Sequence, residues 1–216
     1  RLFALWNQEG ETLASNALQA GRRTPDWKTP SDFRYGAEWT RTSKGAQGGL
    51  GIDAYIDQFV RNGSIDEEAC YAGSGYEAVM APLTHGTHVA DVATGYPDPL
   101  HPAVAESTDQ PTNEDIVFVH LPRHFSGRQV SGLLRTYVLD AVQYIISRVQ
   151  DNVPLVINLS YGSYTGPHDG STILDHALDD VINSRRNAGG LTEIVIAAGN
   201  GADAQAHAHA YLAGGD

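Results

Sequence analysis

The stretch "LTHGTHVADVATG", residues 83–95, sets two imidazoles, His85 and His88, three residues apart around Gly86 and Thr87. Imidazole exchanges protons near neutral pH and is a common metal ligand, so the pair admits three readings. As metal ligands the two could share a helix face, but the H-E-x-x-H zinc pattern needs a glutamate that "HGTH" lacks. As a base at a helix start, His85 would reach outward. Gly86 then allows close backbone approach, and Val89, Ala90, Val92 and Ala93 suit tight packing. As core histidines, both would sit on an ordinary helix. The stretch alone does not choose.

The elements that must position these residues are clearest after residue 115. "IVFVHL" (116–121), "PLVINLS" (154–160) and "EIVIAAGN" (193–200) are continuous apolar runs, which predict strands covered on both faces. Between them lie two helical patterns. Leu133, Leu134, Tyr137, Val138, Ala141, Val142, Ile145, Ile146 and Val149 form one wide stripe, ended by Asp151, Asn152 and Pro154. Ile173, Leu174, Ala177, Leu178, Val181 and Ile182 form the other. Arg185 and Arg186 suit its C-terminal end, and Gly189–Gly190 terminate it. Strand, helix, strand, helix, strand predicts right-handed crossovers and a parallel sheet with helices on its faces. Function in such sheets gathers at strand C-terminal ends, here Ser160–Ser163 and Gly199–Asn200.

Earlier segments are less regular. Leu2–Trp6 predicts a strand, and "GRRTPDWKTPSD" (21–32) a surface loop. Ile52, Ile56, Phe59 and Val60 predict a short helix. Residues 61–82 are mixed and glycine-containing, and 96–115 form a long Pro-rich, acidic connection.

Composition bounds the function. A chain of 216 residues can bury a real core. With 26 acidic against 14 basic residues and a net charge of −12, nucleic acid is an unsuitable partner. No apolar run of about 18 residues occurs, so no membrane span is expected. The lone Cys70 excludes an internal disulfide framework and a cysteine-rich zinc site.

"HGTHVADVATG", "LVINLSYGSYTG" and "IVIAAGNGA" occur in this order, and together they resemble the motifs of the subtilisin-like serine peptidases over roughly residues 83–201. The resemblance implies an α/β, three-layer subtilisin-like fold, mostly parallel sheet with helices on both faces, incomplete in this chain. It implies a serine endopeptidase in which His85 is the general base and His88 a packed structural residue. Asn200 corresponds to the oxyanion donor. Ser160, Tyr161 and Gly162 correspond to the segment that pairs with substrate backbone, and Ala197, Ala198 and Gly199 to a wall of the S1 pocket. Losing such a donor costs about 2.7–4 kcal/mol of transition-state stabilisation, a figure from this same family rather than from this chain. "RLFALWNQ", "FRYGAEWT" and "IDAYI" resemble, more faintly, an insertion of some bacterial subtilases between the aspartate and histidine motifs. Residues 1–82 are therefore expected to be the N-terminal part of the peptidase domain, mostly that insertion, and 83–216 its central part.

Several departures accompany the resemblance. No D-T-G or D-S-G follows an apolar run, and no G-T-S-x-A occurs. Asn7 ends an apolar strand and could be a substituted aspartate. The reading preferred here places Asn7 in the insertion, the aspartate before Arg1 and the serine after Asp216. The opening "RLFALWNQEG" and closing "HAHAYLAGGD" fit a piece of a larger protein. Asp91 replaces a usual glycine, Thr84 an often different residue and Ser163 a frequent glycine.

The competing reading is a catalytically inactive relative that binds a peptide or protein. A third assigns a metal to His207 and His209 with His176, His168 or His101, against solvated surface histidines. No cofactor is required, and calcium is a structural ion in many relatives. The acidic stretch 106–115 could supply oxygens, but it has no defined ligand spacing. Expected partners are a peptide or protein substrate and the remaining segments of the same peptidase. A secreted or cell-envelope setting follows from the resemblance alone.

Overall fold

The computed structural model describes residues 2–10, 22–43, 48–76, 84–94, 114–122, 131–162 and 166–201. The chain divides into two compact units: Arg1–Val130 with Gln143–Arg148, and Ser131–Val142 with Val149–Asp216.

In the first unit β1 (Leu2–Asn7) is the middle of a three-stranded sheet. β2 (Ala37–Thr40) pairs antiparallel with it, Leu5 opposite Trp39, and β5 (Ile116–His120) pairs parallel, Leu5 opposite Phe118. Ala4, Leu5 and Trp6 are all buried, so successive residues of β1 are covered on both faces. Ala4, Trp6 and Tyr144 form one cluster, with Phe33 and Tyr35 packed against it. A second cluster joins Trp39, Ile52, Tyr55, Phe59 and Cys70. It is built from α1 (Ile52–Ile56), a 3₁₀ turn over Asp57–Phe59 and α2 (Glu67–Gly73). Between these helices runs a small hairpin, β3 (Val60–Arg61) and β4 (Ser64–Ile65), turning on Asn62 and Gly63, both at positive φ.

Tryptophan is accommodated here by giving each indole N–H an acceptor. Trp6 donates to the Tyr35 carbonyl at 3.2 Å, Trp27 to Ser74 at 2.8 Å and Trp39 to Leu50 at 2.8 Å. A buried carboxylate is handled similarly. Glu38 accepts from the Tyr144 hydroxyl at 2.9 Å and from Arg148 at 2.6 Å, with Lys28 at 3.6 Å. Tyr144 and Arg148 lie at the end of α4 (Ser131–Ser147) and just beyond it, 106 and 110 residues from Glu38 in sequence.

The second unit holds β6 (Leu155–Leu159) and β7 (Thr192–Ile196), paired parallel. α5 (Ile173–Asn187) connects them and contacts β7. Thr172 caps α5 reciprocally: its hydroxyl accepts from the Asp175 N–H, and the Asp175 carboxylate accepts from the Thr172 N–H. Leu134, Val138, Ala141 and Val142 are the buried stripe of α4 in this unit.

The expected elements are present with small shifts of boundary. Within the first unit β5 pairs with β1, and within the second β6 pairs with β7. Periodicity identifies strands but carries no information about a partner more than a hundred residues away. One expectation changes, and it concerns cover. In β6–β7 Ile157 is buried, whereas Val156 is 69% and Val195 54% exposed. One face of the pair is open among the described residues, although the apolar runs predicted cover on both.

Burial holds the Tyr144 phenol well above its usual 10.0, and the neighbouring Glu38 carboxylate adds to the shift. Burial does the same to Tyr55, with Cys70 adding to it. The folded chain therefore keeps these protons after the unfolded chain has lost them. Their contribution to stability is complete below about pH 10 and declines as pH rises further, by about 1.4 kcal/mol per unit for each tyrosine. Tyr144→Phe should make the decline shallower, measured as unfolding free energy between about pH 10 and pH 12.

Candidate functional site

His85 opens α3 (His85–Thr94) in the first unit. Thr84 supplies the turn before it: its carbonyl accepts from the His88 N–H at 3.2 Å, and its hydroxyl donates to the Thr87 hydroxyl. Gly86 lies against β5, where a Cβ would stand 3.1 Å from the Phe118 ring. A side chain at 86 would require the Phe118 ring to give way by a few tenths of an ångström. His85 is exposed. His88 is exposed as well and not packed, contrary to the structural role expected for it. α3 has no buried residue, so Asp91 stands in the open and meets no crowding in place of the usual glycine.

The other candidate residues lie in the second unit and are brought together by the register of β6 and β7. Leu159 pairs with Ile196, and the Ala197 N–H donates to the Leu159 carbonyl at 3.2 Å. Because the strands are parallel, both chains leave the ladder in the same direction. Ser160, Tyr161 and Gly162 follow β6, and Ala197, Ala198, Gly199 and Asn200 follow β7. A Cβ on Gly162 would lie 3.7 Å from the Ala197 carbonyl, so the two segments remain adjacent past the strand ends. Gly199 turns at φ +90°, a conformation that L side chains rarely adopt. Tyr161 is 39% exposed, and Ala197, Ala198, Gly199 and Asn200 are all exposed. The arrangement sets two exposed segments and the Asn200 amide side by side beyond the ends of β6 and β7.

Two residues that bear on this edge, one beside it and one at the other end of the strands, carry structural roles that were not read from the sequence. Asn158 donates to the Ser160 hydroxyl at 2.9 Å and so orients the first residue past β6. The spacing of two along a strand was the available signal. Arg185 was expected only to favour the helix C-terminus. Instead it is 3% exposed and donates to the Thr192 hydroxyl at 2.9 Å, the Val153 carbonyl at 2.8 Å and the Gln150 carbonyl at 3.3 Å. Its remaining nitrogen faces Asp151 at 3.7 Å. It thereby ties the start of β7 to the turn before β6. Leu178, Val181 and Arg185 share the buried stripe of α5, and that period was the signal for an inward arginine. Arg186, next in sequence, is exposed as expected.

Among the described residues no group of three or more His, Cys, Asp or Glu side chains could hold a metal. His168 and His176 are exposed, and His101, His207 and His209 lie outside the described residues. Of the acidic stretch 106–115 only Glu114 and Asp115 are described, and Asp115 pairs with Arg41 at 2.6 Å. The described residues thus gather no donor set for calcium. Ser163 also lies outside them. No described helix is long and apolar enough to cross a membrane.

A family model, the subtilase family, matches residues 51–213. No curated protein and no solved structure matches the chain.

The buried guanidinium has a measurable consequence. Arg185→Ala removes the guanidinium donor from the Thr192 hydroxyl and the Val153 carbonyl, while the Gln150 carbonyl keeps the Val153 N–H, and should lower unfolding free energy by about 3 kcal/mol in denaturant titration. Arg185→Lys should recover only part, because one ammonium cannot reproduce the planar fork.

Proposed function

Since the chain belongs to the subtilase family, a family of serine peptidases, we propose that it carries the base and the oxyanion donor of a serine endopeptidase. The triad serine and aspartate are supplied by sequence outside residues 1–216. His85 takes the proton of the serine hydroxyl as it attacks the scissile carbonyl and returns it to the leaving amine. The Asn200 side-chain amide donates to the oxygen that becomes negative in that attack. Ser160, Tyr161 and Gly162 pair with the substrate backbone as an added strand, and Ala197, Ala198 and Gly199 leave room for the side chain before the cleaved bond. A peptide or protein is the substrate class that follows from the family.

The observation that carries this reading is the parallel β6–β7 register, with Leu159 opposite Ile196. It makes a substrate-pairing segment and an oxyanion segment neighbours at one strand end. The first turn of α3 supports the base: His85 is exposed, and Gly86 lets that turn lie against β5. Calcium remains a structural ion by family resemblance only.

A second reading rests on what the sequence lacks: neither a D-T-G nor a G-T-S-x-A motif occurs within the 216 residues. Under it, the same edge binds a peptide without cleaving it. The flanking sequence separates the two, because an aspartate motif upstream and a serine motif downstream are required for turnover and irrelevant to binding.

In the complete protein His85→Ala should abolish peptide hydrolysis while leaving the thermal transition nearly unchanged. Retained turnover would remove His85 from the base role. Asn200→Ala should lower kcat by about 10²–10³ with little change in KM, the magnitude known for such donors in this family. A change confined to KM would make Asn200 a ground-state contact.

A further inference from the structure

Asn200, assigned above to the oxyanion, is followed by Gly201, and the pair is one of two Asn-Gly dipeptides in the chain. The other is Asn62–Gly63. Asn-Gly is the sequence in which an asparagine amide is most open to attack by the next backbone nitrogen, because glycine carries no Cβ to obstruct the approach. The two sites differ in their surroundings. Asn62 and Gly63 form the turn of the β3–β4 hairpin at φ +52° and +81°, with Arg61 paired to Ser64 directly beneath. That ladder resists the backbone rotation needed for ring closure. Asn200 lies beyond the last ladder contact of β7, the Ala197 N–H to the Leu159 carbonyl. It occupies a bend, is exposed to water, and among the described residues no hydrogen bond holds its side chain.

We infer that Asn200–Gly201 is a site of spontaneous succinimide formation that converts the oxyanion donor into a carboxylate and ends turnover. The Gly201 backbone nitrogen attacks the Asn200 side-chain carbonyl carbon. A carbon–nitrogen bond forms, the bond to the side-chain nitrogen breaks, and ammonia leaves carrying the Gly201 amide proton. Water then adds to either carbonyl of the five-membered ring and opens it to aspartate or isoaspartate. No oxidant or reductant takes part. The functional half rests on Asn200 being the oxyanion donor. A carboxylate there presents negative charge, where an N–H stood, to an oxygen that itself becomes negative. The isoaspartate product also inserts an extra backbone carbon between residue 200 and Gly201. The site would give the enzyme a lifetime set by its own chemistry and shortened by rising pH, since the attacking nitrogen must lose its proton.

The test is to incubate the complete peptidase at neutral and mildly alkaline pH, then to follow turnover and peptide masses on the same samples. The expected result is aspartate plus isoaspartate at position 200, accumulating faster at the higher pH and ahead of position 62. Hydroxylamine should split the chain between residues 200 and 201 by trapping the ring. The modified fraction should turn over about 10²–10³ less than the intact protein. Gly201→Ala should lose most of the ring product, which is read by mass and independent of activity. An intact Asn200 throughout, or equal modification of Asn62, overturns the site. Modification at 200 with full turnover overturns the switch and takes Asn200 out of the oxyanion role, an outcome that Asn200→Ala would report independently.

Discussion

A guanidinium that is 3% exposed must be surrounded by oxygen, and Arg185 organises the second unit around that requirement. Its acceptors come from two places, the turn at Gln150–Val153 and the first residue of β7, and the Asp151 carboxylate of the same turn faces it at 3.7 Å. For the arginine to reach them, α5 must stop soon after it and the chain must double back at once. Asn187 ends the helix, and Gly189 reverses direction at φ +90°. Gly190 passes so near the Asp151 carbonyl that a Cβ there would collide with it. Thr192 then enters the ladder opposite Leu155. Once that pairing is set, every later pair follows, and residues 197–200 emerge beside residues 160–162. The strand ends proposed to bind substrate are thus aligned from a polar contact at the opposite end of the strands.

The first unit solves a comparable problem with the opposite sign. Glu38, on the outer strand of the sheet, is buried and satisfied by Tyr144 and Arg148 from the far end of α4. Such a network is poor at adding net stability, because desolvating the charges offsets most of their attraction. It is effective at rejecting wrong arrangements, since any other docking of that helix turn would leave an unpaired carboxylate indoors. Around it the aromatic residues do the packing, with Trp6 within 4.8–5.1 Å of Phe33, Tyr35 and Tyr144 between ring centres.

Much of this was legible in the sequence where local rules apply. The spans of α4, α5, β6 and β7 follow from apolar period and from stop signals such as Pro154 and Gly189–Gly190. The family follows from three motifs in order. What was hidden depends on partners distant in the chain. Nothing near Glu38 announces that Tyr144 and Arg148 will meet it, and nothing in "IVFVHL" announces that β1 will be its neighbour. Tyr144 stands outside the named α4 stripe and is nevertheless fully buried, because its hydroxyl finds Glu38. Arg185 lies in the last turn of its helix as its position predicts, and the helical period it shares with Leu178 and Val181 also turns it inward. The exposed His88 differs because the expectation came from resemblance, whereas α3 buries none of its side chains here.

The placement of the indoles has an optical consequence. All three tryptophans of the chain, Trp6, Trp27 and Trp39, belong to the first unit, and each is hydrogen-bonded to a backbone carbonyl there. The second unit contains only tyrosine as a fluorophore. Tryptophan emission therefore watches one half of the molecule, while far-ultraviolet circular dichroism is fed by helices from both. Superposed melting curves from the two signals would mean that the halves unfold as one cooperative body, and separated curves would give the stability of each.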